Sequence, residues 1–72
     1  MTTILSNEEK LNIVNQHIRN VEYLQYNAQL DLIEANAVSS PDSAAISEIN
    51  GRLSEIQNKL DALNEEKASL TE

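Results

Sequence analysis

The stretch Ser39-Ser40-Pro41-Asp42 separates two long segments that are both typical of α-helix. Apart from Pro41 and Gly51, the 72-residue chain contains no proline or glycine. Proline disrupts the interior of a helix but fits the first turn, where its missing amide donor has no helical partner to lose. Ser40 suits the N-cap, and Asp42 favours the positive end of a helix dipole. The stretch therefore predicts the end of one helix and the start of another.

The first helix has an equally clear start. Ser6-Asn7-Glu8-Glu9 has the spacing of a capping box, in which the first and last side chains each accept a hydrogen bond from the other's backbone amide. The chain is therefore predicted to be one domain with helix one over residues 6–38, a turn at residues 39–40 and helix two over residues 41–70. Two helices of similar length joined by a short turn predict an all-α antiparallel helical hairpin.

Hydrophobic residues in both segments alternate at spacings of three and four, which is the pattern of a coiled coil. In helix two these seam positions are Ile46, Ile49, Leu53, Ile56, Leu60, Leu63, Lys67 and Leu70, of which only the lysine is polar. Helix one has a matching seam at Leu11, Val14, Ile18, Val21, Gln25, Ala28, Leu32 and Ala35. The two seams predict that the helices pack against each other as a coiled coil.

Folding the chain about residues 39–40 aligns the two seams in a single register. The expected neighbours are Ala35 with Ala45, Ala28 with Leu53, Ile18 with Leu60, and Leu11 with Lys67 or Leu70. The same register places Glu22 near Lys59 and Arg19 near Asp61, with opposite charges in both cases. Because the hydrophobic and charge patterns agree, they support the hairpin together.

Helix one has a second apolar stripe on its other side, called the outer stripe below. Its members are Tyr23, Tyr26, Leu30, Ile33 and Ala37, with Leu24 beside them. A helix that is apolar around much of its circumference is usually buried on more than one side. Two helices alone have little core, and the chain has no cysteine for a disulfide. We therefore expect a homo-oligomer, most simply a four-helix bundle of two hairpins, with the outer stripe as the oligomer or partner interface. The mixture of leucine and isoleucine at the seam positions leaves two, three or four chains open.

Acidic residues outnumber basic residues by 12 to 5, which gives a net charge of −7 at pH 7. This balance disfavours nucleic acid and anionic membrane surfaces as partners, since both attract positive charge. The stretch between Arg19 and Arg52 has no basic residue but contains Glu22, Asp31, Glu34, Asp42 and Glu48. The turn end of the hairpin is therefore expected to be either a solvated acidic face or a docking surface for a basic partner.

The sequence offers no residue pattern for catalysis, a metal or a cofactor. His17 is the only histidine, and a carboxylate-bridged metal bundle needs a Glu-x-x-His pair, whereas residue 14 is valine. The adjacent carboxylates Glu8–Glu9 and Glu65–Glu66 point to different faces of their helices. Gly51 stands alone and forms no phosphate-binding loop. We expect a protein that is not an enzyme, with no cofactor and no metal.

A membrane span requires about 18 consecutive apolar residues, and every apolar run in this sequence is much shorter. The N-terminus lacks both a basic start and a sustained apolar stretch, so no secretory signal is expected. We therefore expect a cytoplasmic protein.

Several stretches carry a resemblance that covers residues 8–64. They are Glu9-Lys10-Leu11 through Ile18, Tyr23 and Tyr26, then Leu32-Ile33-Glu34-Ala35-Asn36 and Ser39-Ser40-Pro41. In these stretches the chain resembles small uncharacterised proteins encoded by tailed cyanophages, which have a helix, a short Ser-Pro turn and a regular heptad helix. The resemblance implies a phage accessory or virion-associated protein that acts in a bacterial cytoplasm. It implies no enzymatic activity and no functional residues.

Two functional hypotheses follow from these patterns. The first is a structural or interaction module that self-associates through both helices and presents an acidic surface. The second is a small acidic regulator that binds and inhibits or sequesters a host protein, with residues 23, 26, 30 and 33 as its partner site. A third, RNA binding through Tyr23 and Tyr26, is disfavoured, because base-stacking aromatics need a basic track, and the neighbours here include Glu22 and Asp31.

Overall fold

The computed structural model describes residues 5–71, which form two α-helices. Helix α1 spans Asn7–Asn36 and helix α2 spans Ser43–Thr71. The two helices pack side by side in a rod of 59 × 22 × 14 Å. The predicted all-α helical hairpin is confirmed. Residues 1–4, part of the N-terminal stretch in which no secretory signal is expected, lie outside the described range.

Helix α1 begins with the predicted capping box. The backbone N–H of Glu9 donates to the Ser6 hydroxyl at 3.1 Å, and the backbone N–H of Ser6 donates to the Glu9 carboxylate at 2.8 Å. Ser6 itself has an extended backbone, so it is the cap and the helix begins one residue later at Asn7. Glu8 and Glu9 lie in the first turn, where their charges complement the positive end of the helix dipole.

The connection between the helices is wider than predicted, because it covers residues 37–42 rather than residues 39–40. Helix α1 ends at Asn36, and the backbone N–H of its C-cap, Ala37, donates to the carbonyl of Glu34 at 3.1 Å. The Asn36 side-chain amide donates to the Leu32 carbonyl at 3.0 Å. These local bonds satisfy carbonyls of the last turn, so helix one stops two residues before its predicted end.

The start of α2 corrects the sequence-based assignment of its cap. The carboxylate of Asp42 accepts the backbone N–H of Ala44 at 2.9 Å, and the Asp42 carbonyl accepts the N–H of Ile46 at 3.1 Å. Asp42 is therefore the cap, whereas Ser40 was predicted to cap and Pro41 to be the first helical residue. A carboxylate makes a stronger bond to a backbone amide than a hydroxyl does, which favours the later start.

The core of the hairpin is a single line of contact between the two seams. Only Ala28, Ile49 and Leu60 are buried among the described residues, with exposed fractions of 3%, 6% and 8%. The half-buried seam residues are Leu11, Val14, Ile18, Val21, Gln25, Leu32 and Ala35 on α1, and Ile46, Leu53, Ile56, Leu63 and Leu70 on α2. Lys67 is the one seam position that is exposed. One copy of the chain therefore buries a thin core.

Two polar contacts mark the register of the hairpin. The side-chain amide of Gln25, the polar member of the α1 seam, donates to the side-chain oxygen of Gln57 at 3.3 Å. Near the free ends, the Asn7 side-chain amide approaches the Leu70 carbonyl at 3.5 Å. Both contacts lie close to the register expected from the two seams. A polar side chain in a coiled-coil seam fixes register when its partner lies across from it, and Gln25 has this position.

The charged side chains pair differently from the prediction. Arg19 forms its ion pair with Glu22 on its own helix, at 3.6 Å, and Asp61 accepts a hydrogen bond from Gln57 at 3.0 Å. The expected pairs of Glu22 with Lys59 and of Arg19 with Asp61 are not formed in the described structure. Residues three apart on a helix are already neighbours, so Arg19 reaches Glu22 without bridging the two helices.

Among the described residues, one ion pair connects the two helices. It joins Arg52 to Asp31, with 3.7 Å between the guanidinium and the carboxylate. Both side chains are about half exposed. Water therefore screens the pair, and its contribution to the free energy of unfolding is expected to be below about 1 kcal/mol.

Candidate functional site

The outer stripe lies on the side of α1 that faces away from α2. On a helix with 3.6 residues per turn, its five positions centre about 145° from the seam. Since α2 covers only the seam side, Tyr23, Tyr26 and Ile33 remain exposed by 59%, 62% and 63%, and Leu30 by 36%. Ala37, at the C-cap, is also exposed. The hairpin therefore leaves every residue of the outer stripe in contact with solvent.

The outer stripe is continuous along the helix axis. It extends over about four turns, or roughly 21 Å, from Tyr23 to Ala37. Exposed apolar side chains that are scattered singly are normal on protein surfaces, whereas a contiguous row marks a surface that meets another molecule. The outer stripe is thus the candidate interaction surface of the molecule.

Arg19 extends the outer stripe by one turn towards the N-terminus of α1. Its guanidinium carbon lies 5.3 Å from the centre of the Tyr23 ring, which is the geometry of a cation–π contact. The same guanidinium forms the ion pair with Glu22. Arg19 was predicted to pair with Asp61 of α2, and its contact with Tyr23 was not predicted. Its signal is the four-residue spacing of arginine and tyrosine on one helix face.

The opposite end of the outer stripe has a negative electrostatic potential. The last turn of α1 contains no basic residue, although the negative end of the helix dipole lies there. Glu34 adds an exposed carboxylate to the same turn. The outer stripe therefore begins with a cation at Arg19 and ends beside the negative end of a helix whose last turn has no basic residue.

A shallow groove of about 340 Å³ lies between the two helices on another side of the hairpin. Its lining residues are Leu24, Asn27, Ala28, Asp31, Arg52, Glu55, Ile56 and Lys59. Its charged side chains are of both signs, and the ion pair of Asp31 with Arg52 is part of its lining. The groove was not predicted, because its shape depends on how far the two helices stand apart.

The outer face of α2 contains Gly51. A side-chain carbon added to Gly51 would meet no atom within 4 Å, so the space around it is open in the hairpin. Nothing in the single copy of the chain therefore requires a glycine at this position.

The remaining residues considered in the sequence analysis lie apart from one another. His17, Glu8 and Glu9 are exposed on α1, and Glu65 and Glu66 are exposed near the end of α2. Within residues 5–71, no group of three or more histidine, cysteine or acidic side chains is arranged to hold a metal ion. Across the same residues, neither helix is long and apolar enough to cross a membrane.

Comparison with protein-family models, curated proteins and solved structures finds no match to this chain in any of the three.

Proposed function

We propose that this chain is a non-enzymatic structural module that self-associates through the outer stripe. Two or more hairpins would pack into a four-helix or larger bundle and present a mostly acidic outer surface. The observation that supports this proposal is the exposure of Tyr23, Tyr26 and Ile33, each more than half open to water in a single hairpin. Burial of apolar surface gains about 25 cal/mol per Å², so a contiguous row of this kind favours association.

The thin core of the hairpin supports the same proposal. Three buried residues, one of them an alanine, contribute little hydrophobic stabilisation to two helices of about 30 residues each. Small domains with little core usually depend on a disulfide, a metal or association with further chains. The chain has no cysteine, so a disulfide is not open to it. Association through the outer stripe would supply the missing buried surface.

Absolute mass in solution tests the proposal, measured by light scattering over a tenfold range of protein concentration. The wild-type chain should show the constant mass of a dimer or larger oligomer. Ile33→Asp should raise the dissociation constant about a hundredfold or more, because it removes a large apolar contact and buries an unpaired carboxylate.

Ile13→Asp is the matched control, since Ile13 is also an exposed isoleucine of α1, at 43%, but lies outside the outer stripe. It should leave the mass unchanged. Circular dichroism of each variant shows whether its helices are intact, and so whether a change in mass reflects loss of the interface or unfolding. A wild-type chain that is monomeric and helical at every concentration would overturn self-association.

The second candidate is a small acidic regulator that binds and inhibits a basic host protein. The observation that favours it is the run of carboxylates between Arg19 and Arg52, of which Asp31 is paired across the hairpin. A negative surface of this kind steers a positively charged partner towards it. In this case the outer stripe is the partner's docking site, and the isolated chain is a monomer.

A synthetic amphipathic helix with lysine on one face and leucine on the other provides a probe for this second candidate. Calorimetric titration should show binding to the wild-type chain and to Ile13→Asp, and none to Ile33→Asp. If the wild-type chain is oligomeric and does not bind the synthetic helix, the regulator hypothesis is contradicted.

For its biological setting we propose a phage accessory or virion-associated role in a bacterial cytoplasm. Support comes from the resemblance of residues 8–64 to small cyanophage proteins. An antibody against the chain, applied to purified virions and to the cytosol of infected cells, tests this setting. Detection in neither fraction would overturn it.

A further inference from the structure

We propose that the occupant of the outer stripe is the same stripe of a second copy, packed antiparallel, with Arg19 of each copy at the C-terminal end of the other copy's α1. This inference rests on the proposed self-association and specifies its partner and orientation. The experiments below separate a wrong orientation from an absent oligomer.

When two copies of the outer stripe run in opposite directions, the side chains of one copy face side chains of complementary size in the other. With a two-fold axis that crosses the outer stripe at the level of residue 28 along the helix, Tyr26 of one copy faces Leu30 of the other, and Tyr23 faces Ile33. Each of these layers then combines one aromatic with one aliphatic side chain. At both ends the long side chain of Arg19 meets Ala37, the smallest member of the outer stripe. A two-fold contact requires one patch to match itself in this way.

The charges at the two ends of the outer stripe complement each other in the same arrangement. Arg19 is held on this face of α1 by its contact with the Tyr23 ring. The other end has a helix terminus without any basic residue in its last turn, next to the exposed carboxylate of Glu34. Cations are favoured at the C-terminal end of a helix, because the free carbonyls there are the negative end of the dipole. Antiparallel packing brings Arg19 of each copy to this end of the other copy.

Parallel packing would oppose the charges instead. It would place Arg19 against Arg19 and bring the two acidic turn ends side by side. Glu22, Asp31, Glu34, Asp42 and Glu48, all on the turn half of the hairpin, account for five of the seven net negative charges. With the axis at the level of residue 28 along the helix, the two copies of residue 40 lie about 36 Å apart along the helices. This distance is several Debye lengths at physiological ionic strength, so the turn ends no longer repel each other strongly.

Cysteine cross-linking tests the orientation, and the chain is well suited to it because it contains no cysteine. Gln16 and Ala37 are both exposed, and in the antiparallel pair residue 16 of one copy lies within about one turn, roughly 5 Å along the helices, of residue 37 of the other. An equimolar mixture of Gln16→Cys and Ala37→Cys should therefore cross-link with a short bifunctional maleimide. Each variant alone should not, because its two thiols lie about 27 Å or more apart along the helices.

The outcomes of this experiment are distinct. A cross-link in the mixture alone supports the antiparallel pair. Cross-links within each separate variant overturn it in favour of parallel packing, while self-association stands. A dimer by mass with no cross-link in any combination also overturns it and indicates a different contact, such as the outer stripe against the groove beside Asp31. A monomer by mass overturns the proposed function together with this inference.

A charge reversal tests the position of Arg19. Arg19→Glu should raise the dimer dissociation constant about tenfold, because each dimer loses two favourable contacts with a negative helix end. Lys59→Glu on α2 changes the net charge by the same amount away from the outer stripe, so it serves as the control. Combining Arg19→Glu with Glu34→Arg should restore much of the affinity. Equal weakening by Arg19→Glu and Lys59→Glu, or no recovery in the double variant, would overturn the assigned position of Arg19.

Discussion

The carboxylate of Asp42 lies 2.9 Å from the backbone nitrogen of Ala44 and begins helix α2. The carbonyl of the same aspartate accepts the first helical hydrogen bond, from Ile46. Pro41 therefore stands before the cap and not inside the helix. This contact determines where the connection ends and from which residue α2 runs back along α1.

Replacement of this cap should have a clear energetic cost. Asp42→Ala leaves the Ala44 N–H without its acceptor and should lower the free energy of unfolding by about 1 kcal/mol. Asp42→Asn keeps the acceptor and should have a much smaller effect. Urea unfolding followed by circular dichroism at one fixed protein concentration measures both.

Ser40→Ala is the control for this cap, because Ser40 was the cap expected from sequence and is not the cap in the structure. It should change the free energy of unfolding by less than about 0.5 kcal/mol. A loss of stability at Ser40 as large as that at Asp42 would contradict the observed start of α2.

Gly51→Ala should stabilise the chain. Gly51 lies inside α2 and has no positive φ angle, and a methyl group there would meet no atom within 4 Å. Alanine is preferred over glycine within a helix by about 1 kcal/mol. The urea concentration at the midpoint of unfolding should therefore rise, while the dependence of the unfolding free energy on urea concentration stays the same as in the wild-type chain. A lower midpoint would indicate that a further chain approaches this face of α2 closely.

Leu60→Ala should cost much more than a similar truncation at the surface. Leu60 has an exposed fraction of 8%, whereas Leu24 has an exposed fraction of 53%. Removing a buried leucine side chain usually costs about 2–5 kcal/mol, and the thin core places the expected loss at the low end. Leu24→Ala should cost less than about 1 kcal/mol. Comparable losses at the two positions would contradict the core described here.

The ion pair of Asp31 with Arg52 should contribute little despite its position between the helices. A double-mutant cycle with Asp31→Asn and Arg52→Gln should give a coupling energy below about 1 kcal/mol, since both side chains are about half exposed. The coupling should fall further in 0.5 M salt, which screens exposed charges. A larger, salt-independent coupling would show that association buries the pair.

Much of the hairpin follows from local features of the sequence. The capping box of Ser6 and Glu9 involves residues of one turn, and it forms as predicted. The spacing of the seams identifies the side of each helix that packs inward, since it depends only on helix geometry. At the turn, several residues compete for the role of cap, and a local pattern does not rank them. This is why Ser40 was preferred to Asp42 in error.

The charge pairs could not be predicted from the sequence to the same extent. Arg19 has a neighbour on its own helix in Glu22 and a possible partner on the other helix in Asp61. The choice between them depends on distances of a few ångströms across the hairpin. The structure places Arg19 over Tyr23 and beside Glu22. It also joins Arg52 to Asp31, a pair that the predicted register did not include.

The sequence by itself determined that the chain forms two helices, that they fold back on each other, and that α1 has a second apolar side. The helices and the second apolar side depend on residues within one or two turns of each other, so the helical period is enough to reveal them. The fold-back follows from two helices of similar length with matching seams and a short break between them. Only the tertiary structure decided that α2 covers the seam and leaves the outer stripe exposed from Tyr23 to Ile33. It also decided which polar partners meet across the hairpin. Those outcomes depend on where the second helix lies, because a side chain is buried or paired only by atoms brought to it from distant parts of the chain.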